Sequence, residues 1–104
     1  MTVRMTMNEG LATLAVAGRF DFNAHKEFRK CSEDALALPG LKAIEVDLRD
    51  VEDLDSSALG MLLLLREKAQ GTAHCEVSLS GCRGLVQQIL EVANFSRLFK
   101  ITQA

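Results

Sequence analysis

Two adjacent hydroxyls beside a run of carboxylates are the residues of this chain with the clearest chemical potential. Ser56 and Ser57 directly follow Asp55, segment 50–55 holds four acids, and an apolar run opens at Ala58. Ser and Asp at a helix start accept hydrogen bonds from its free N–H groups, so the segment is typical of a helix cap. A capping hydroxyl is also one that a kinase can reach, so capping and phosphorylation remain compatible interpretations.

Nucleophilic catalysis by these serines has no support in the surrounding sequence. His25 and His74 are distant from Ser56, and no G-x-S-x-G motif surrounds it. The segment Gly81–Gly84 lacks the glycines and the lysine of a phosphate-binding loop, so we interpret it as a strand-to-helix turn. We therefore expect a protein that is not an enzyme and needs no cofactor.

Composition and charge place the chain among ordinary single-domain proteins. It has 104 residues, 48% hydrophobic and 25% charged, enough for one core. The net charge of −2 and the lack of a basic run argue against nucleic acid or an anionic membrane as partner. The three cysteines form no metal-binding pattern, so we expect no metal and reduced thiols in the cytoplasm. The opening residues lack an apolar signal core, and no apolar run is long enough to span a bilayer.

Apolar periodicity and turn residues predict the order β-β-α-β-α-β-α-β. The predicted strands are Thr2–Met7, Leu11–Ala17, Ala43–Leu48 and Glu76–Ser80, with a short strand-like segment within Arg97–Thr102. The predicted helices are Ala24–Leu38, capped by Asn23, then Ser57–Ala69 and Cys82–Asn94, and Arg49–Asp55 is interpreted as an acidic loop. Helices between successive strands favour crossover units, so we expect an α/β fold with a mixed, largely parallel sheet.

Each predicted helix has an apolar stripe that indicates its core-facing side. The stripes comprise Ala24, Phe28, Cys31, Ala35 and Leu38 in the first helix, Ala58, Leu62, Leu65 and Ala69 in the second, and Leu85, Val86, Ile89, Leu90 and Ala93 in the third. Leu59, Leu63 and Leu64 lie outside the second stripe. Either a neighbouring helix covers them, or they form an exposed apolar patch beside Ser56 where a partner docks.

A phosphate on Ser56 would change the local charge strongly. It adds close to two negative charges, which the helix start partly stabilises and the nearby carboxylates oppose. A partner that presents an acid there would be repelled, since two like charges about 4 Å apart near a protein surface cost about 4 kcal/mol before salt screening. That energy weakens binding by several hundredfold, so the segment favours a phosphate-controlled switch.

Three segments resemble the STAS domain, specifically the single-domain anti-sigma factor antagonists of bacteria. Gly18–Asp21 is similar to that family's G-x-L/F-D element, and Leu98–Ile101 resembles its closing L-F-x-I. Asp47–Gly60 is similar to its signature D-L-x-x-V-x-x-x-D-S-S-G-L-G, except that Ala58 stands where the family often has Gly. The resemblance covers nearly the full chain, so residues 1–104 are expected to form one STAS domain.

The resemblance implies a STAS-like mixed sheet of four to five strands with three to four α-helices packed on it. It implies that Ser56 is the phosphoacceptor, with Ser57 as the second choice. Partner-binding residues are then expected at Asp21, Asp55, Ser57, Leu59, Gly60 and Leu63.

The resemblance also implies the partners. A histidine-kinase-like serine kinase, which can itself be the anti-sigma factor, would bind the unphosphorylated form and phosphorylate it. A PP2C-type phosphatase would restore binding, and the free chain is expected to be a monomer. The output would be transcription through a sigma factor or another process such as biofilm formation. The alternative is a constitutive STAS subunit of a lipid or anion transporter, or of another regulatory complex, although such members often lack the acceptor serine.

Overall fold

Five strands form one mixed sheet that carries three α-helices in the computed structural model, which describes residues 1–103. The strands are β1 (Thr2–Asn8), β2 (Leu11–Phe20), β3 (Ala43–Leu54), β4 (Glu76–Cys82) and β5 (Lys100–Gln103), and the helices are α1 (His25–Leu36), α2 (Ser56–Lys68) and α3 (Gly84–Val92). The spatial order is β1-β2-β3-β4-β5, with β1 antiparallel to β2 and the other neighbours parallel. The predicted α/β fold with a mixed sheet is confirmed.

A two-residue turn closes the opening hairpin, in which Asn8 pairs with Leu11. Glu9 and Gly10 both have positive φ, 51° and 87°. That combination is the type I′ turn, whose twist matches the twist of the flanking strands. The Asn-Glu-Gly segment therefore sets the register of β1 against β2.

The core lies on one face of the sheet, between the strands and the helices. In β2, Ala12, Leu14 and Val16 are fully buried, and the residues between them are half-buried. In α2 the predicted stripe is confirmed, since Ala58, Leu62, Leu65 and Ala69 are all buried. Parallel crossovers between neighbouring strands are almost always right-handed, which places the three helices on the same face, in agreement with the burial of one face of β2. Within residues 1–103, no helix is long and apolar enough to cross a membrane.

The predicted acidic loop Arg49–Asp55 is wrong, because β3 continues to Leu54. This part of β3 pairs only with the end of β2, through register shifts that set Phe20 opposite Leu54. The shifts break the alternation of period two, so that Leu48, Val51 and Leu54 are buried at a spacing of three. Gly81 allows the close packing there, since a Cβ atom on it would lie 2.9 Å from the Arg49 backbone nitrogen.

The predicted starts of the first and third helices need correction. Asn23 does not cap α1; a 3-10 turn at Phe22–Ala24 precedes the helix, and Asp21 caps that turn. The third helix begins at Gly84 rather than at Cys82, which ends β4.

Two helix stripes also need correction. In α1, Cys31 is half-buried against the core, and the fully buried position beside it is Ser32, whose hydroxyl donates to the Phe28 carbonyl at 2.7 Å. In α3, Leu85 is 54% exposed and only Val86 and Leu90 are buried.

Candidate functional site

The carboxyl ends of β2 and β3 bring the two aspartates of the predicted site to one edge of the sheet. Phe20 and Leu54 are register partners on these parallel strands, and the Asp55 N–H donates to the Phe20 carbonyl at 3.3 Å. Asp21 directly follows Phe20, and Asp55 directly follows Leu54, so the two aspartates lie next to each other. The structure therefore joins two motifs that lie 34 residues apart in the chain.

Each aspartate caps the helical segment that follows it. The Asp55 carboxylate accepts a hydrogen bond from the Ala58 N–H at 3.0 Å, and its backbone is extended. The Asp21 carboxylate accepts from the Asn23 N–H at 3.0 Å. The cap of α2 is thus Asp55 and not a serine, which leaves the serine hydroxyls outside the capping interaction.

Ser56 occupies the first position of α2 and is exposed, whereas Ser57 is half-buried. Within residues 1–103, neither serine hydroxyl forms a hydrogen bond with another group. The first N–H groups of a helix lack intrahelical partners and carry partial positive charge, which suits an anion close to them. Ser56 thus offers an accessible hydroxyl at a position that favours a covalently attached phosphate.

The strand that leads to this hydroxyl ends in a run of acids. Asp50, Glu52 and Asp53 are exposed on the end of β3. The ion pair found among residues 1–103 joins Arg29 to Glu33 on α1, so none of these acids forms an ion pair there. Arg19 lies opposite Asp53 in the register of β2 and β3, so the four acids of segment 50–55 outnumber the cations Arg19 and Arg49 without being free of them. A group added to Ser56 would extend a negative surface that is already present.

The leucines beside Ser56 divide between the two predicted alternatives. Leu63 and Leu64 are 39% and 48% exposed, which fits an apolar patch. Leu59 is half-buried and packs against the core, which fits coverage by neighbouring elements. Gly60 is exposed, and a Cβ atom on it would meet nothing within 4 Å. The exposed side of α2 therefore carries no side chain at Gly60 and presents the apolar side chains of Leu63 and Leu64 one turn later.

A groove between α1 and α2 adds residues that the sequence did not single out. It has a volume of about 220 Å³, and His25, Met61 and Leu64 contribute to its lining. Phe22, next to Asp21, is 62% exposed and stacks on His25 with ring centroids 4.6 Å apart. The His25 Nδ1 atom lies 2.8 Å from the Phe22 carbonyl and donates to it. Phe22 thus lies beside the groove, through its contact with His25, and not in its lining.

A second apolar groove borders the other side of α2. Its volume is about 360 Å³, and its lining includes Leu59, Leu85, Ile89 and Val92. Val92 is 86% exposed at the end of α3. Ser56 therefore begins a helix with exposed apolar surface on both flanks, a composition typical of protein contact surfaces.

The family model of the Mlab STAS domain matches residues 3–101. The chain belongs to the STAS domain family. A STAS-domain containing protein of Pseudomonas aeruginosa (strain UCBPP-PA14) is 48% identical over 90 residues, which is 86% of each chain.

Solved structures with the same fold include a candidate anti-sigma factor antagonist from Thermotoga maritima (TM-score 0.85, 20% identity, 98% of this chain and 86% of that one). The Bacillus cell fate determinant SpoIIAA in its phosphorylated form matches with a TM-score of 0.73 and 13% identity, over 96% of this chain and 90% of that one. A sulfate transporter family protein from Wolinella succinogenes matches with a TM-score of 0.76 and 16% identity, over 93% and 80% of the chains. The fold is that of anti-sigma factor antagonists, and it also occurs in the transporter-related protein.

Proposed function

We propose that this STAS protein is an anti-sigma factor antagonist in a partner-switching pathway. Its unphosphorylated form binds a histidine-kinase-like serine kinase that acts as anti-sigma factor, phosphorylation of Ser56 abolishes binding, and a PP2C-type phosphatase restores it. In this role the chain is a substrate and a binding module rather than an enzyme, and it works in the cytoplasm. The observation that carries the proposal is the Ser56 hydroxyl at the start of α2, which is exposed and takes no part in the helix cap.

The surroundings of Ser56 favour it over Ser57 as the phosphoacceptor. Ser56 is exposed, whereas Ser57 is half-buried and less accessible to a kinase active site. The Asp55 carboxylate accepts from the Ala58 N–H, so the cap of α2 does not depend on either hydroxyl. Phosphorylation would therefore leave the helix start in place and alter only its surface.

The docking surface that we propose combines a polar rim with an apolar centre. Asp21, Asp55 and Ser57 form the rim, and Leu63 with the half-buried Leu59 supplies apolar area. Gly60 leaves room for close approach, because no heavy atom lies within 4 Å of the position of its absent Cβ atom. Interfaces of this kind draw most of their binding energy from a few buried apolar anchors inside a polar rim.

Electrostatics explains how one phosphate would release the partner. The group brings about −1.5 to −2 charges next to the exposed acids of β3. A partner acid placed close to Ser56 in the unphosphorylated complex would then face a like charge at short range. At about 4 Å the repulsion is about 4 kcal/mol before screening, equivalent to several hundredfold in affinity.

Retention of partners by variants of the tagged protein, expressed in its own cells, tests this proposal. Ser56→Ala should retain the kinase, which mass spectrometry would identify by its sequence class. Ser56→Asp should lose it, because a carboxylate reproduces part of the phosphate charge. Ser57→Ala is the matched control, since it removes the neighbouring hydroxyl without adding charge to the docking surface. Loss of the kinase by the Ser57 variant alone would contradict the assignment of Ser56.

The constitutive transporter subunit is the second candidate, and its support is the fold shared with the Wolinella succinogenes protein. It makes a different prediction for the same experiment. Equal retention of one partner by Ser56→Ala and Ser56→Asp, with transporter subunits among the retained proteins, would favour this candidate over the switch.

A further inference from the structure

A polar cavity of about 500 Å³ lies at the opposite end of α2 from Ser56. Arg66 near the end of α2, Arg97 in the 3-10 turn before β5, and Lys100 at the start of β5 line it. Arg66 is ten residues after Ser56, which corresponds to about 15 Å along a helix. The cavity is thus separate from the surface around Ser56.

The Arg66 side chain is fixed at the wall of this cavity. Its Nε atom donates to the Leu98 carbonyl at 2.8 Å, which leaves its terminal amino groups available for another acceptor. No ion pair within residues 1–103 includes Arg66, Arg97 or Lys100, because the pair that is present joins Arg29 to Glu33. Among the described residues, the cations of the cavity therefore have no carboxylate within ion-pair distance.

The net charge of the lining is positive. Among residues 1–103, Glu76 is the one acid that lines the cavity, against three cationic residues, which leaves a net charge of +2. The helix dipole places only about half a negative charge at the carboxyl end of α2, so it opposes anion binding weakly. Leu98, which is 40% exposed, adds an apolar wall beside the cations.

We propose that this cavity binds a small phosphate monoester. Such a group carries about −1.5 to −2 charges at neutral pH, which matches the lining, and arginine guanidinium groups bind phosphate oxygens in pairs. The cavity lies within the range of small-molecule sites, roughly 300–1,000 Å³, so it has room for an organic body against Leu98. The proposal does not depend on Ser56 or on partner switching.

Amide chemical shifts recorded during a titration with phenyl phosphate at constant ionic strength test the proposal. We expect saturable shifts at Gln70, Ser78 and Lys100, all at the cavity, and no such shifts with phenol.

The double variant Arg97→Gln/Lys100→Gln should weaken binding about tenfold. Lys26→Gln/Lys30→Gln is the matched control, because it removes the same charge from exposed positions on α1. Arg66 is left intact because its hydrogen bond shapes the wall.

Three results would overturn the proposal: shifts that grow linearly without saturation, equal affinity in both double variants, or saturation by an acidic peptide but not by phenyl phosphate.

A soluble metabolite and a lipid headgroup could both supply the phosphate. Co-sedimentation with phosphatidylcholine vesicles, with and without phosphatidic acid, distinguishes them. Binding that requires both phosphatidic acid and the Arg97–Lys100 pair would support the proposal with a lipid as the source. Ser56→Ala should bind phenyl phosphate as the unmodified protein does, whichever way the partner experiment turns out.

Discussion

The two ends of α2 differ in the sign of their charge, and that difference separates their proposed roles. At the amino end, an exposed hydroxyl follows a strand end in which acids outnumber cations, so a phosphate attached there meets an excess of like charge. At the carboxyl end, three cations line a cavity, so a phosphate that arrives there meets opposite charge. Surroundings with the same sign of charge as a phosphate suit a switch imposed by covalent attachment, whereas surroundings of opposite charge suit reversible binding.

The buried side of α2 holds both ends in place. Ala58, Leu62 and Leu65 are buried against the sheet, while Leu63 and Leu64 face outward. A change in the buried stripe should therefore affect both ends, and a change at one end should leave the other intact.

The largest effect is expected from Leu62→Ala, which should disturb both ends of α2. Leu62 is fully buried, and truncation of such a leucine costs about 2–5 kcal/mol through lost burial and the cavity left behind. Urea unfolding measures the loss. The control is Leu63→Ala, at a side chain that is 39% exposed, which should cost clearly less. Equal losses would mean that the stripe does not anchor the helix.

Asp55→Ala should destabilise the amino end of α2 and leave the cavity at its carboxyl end unchanged. Loss of a capping carboxylate at a helix start costs about 1 kcal/mol, and here the Ala58 N–H would lose its acceptor. Asp21→Ala is expected to cost less, because Asp21 caps only a single 3-10 turn. Thermal unfolding compares the two variants, and the affinity for phenyl phosphate should stay unchanged in both. A changed affinity would contradict the independence of the two ends.

Gly60→Ala should separate stability from partner binding. Alanine in a helix interior is favoured over glycine by roughly 0.5–1 kcal/mol, and no atom obstructs a Cβ atom at this position. We therefore expect a higher midpoint of urea unfolding together with weaker retention of the kinase. A variant that is more stable and binds equally well would remove Gly60 from the proposed docking surface.

The last effect is absent at neutral pH and concerns Cys82, which lies outside both sites and limits the pH range in which they can be compared. Burial, followed by the nearby Asp47 carboxylate, raises the pKa of Cys82 from 9.0 to about 11. The folded state therefore holds this proton more tightly than the unfolded state does. The associated stability is fully present below pH 9 and is lost as the pH rises toward about 11. Urea unfolding of Cys82→Ala should show a weaker decline over that range; an identical decline would contradict this cause.

The sequence predicted the layers of the fold and the exposed serine because these features have local signatures. The spacing of Ala58, Leu62 and Leu65 follows the helical period, and Asp55-Ser56 follows the rules of helix starts. The end of β3 was missed because its register shifts replace alternation with a spacing of three, which resembles a polar loop.

Features built from distant segments had no local signature. The capping role of Asp55 could not be separated from that of the adjacent serines, since both residue types cap helices. The cationic cavity brings together Arg66 and Arg97, which are 31 residues apart in the chain. Neither residue lies in a basic run, so only the packing of β5 beside β4 places them together.

The most direct test of the central claim is the affinity of the purified protein for its serine kinase, with and without a phosphate on Ser56. Calorimetry with an inactive form of the kinase, after phosphopeptide mapping of each sample, would provide the two dissociation constants. We predict a loss of several hundredfold in affinity on phosphorylation of Ser56, with no comparable loss in unphosphorylated Ser57→Ala. Equal affinity of the two forms would contradict it.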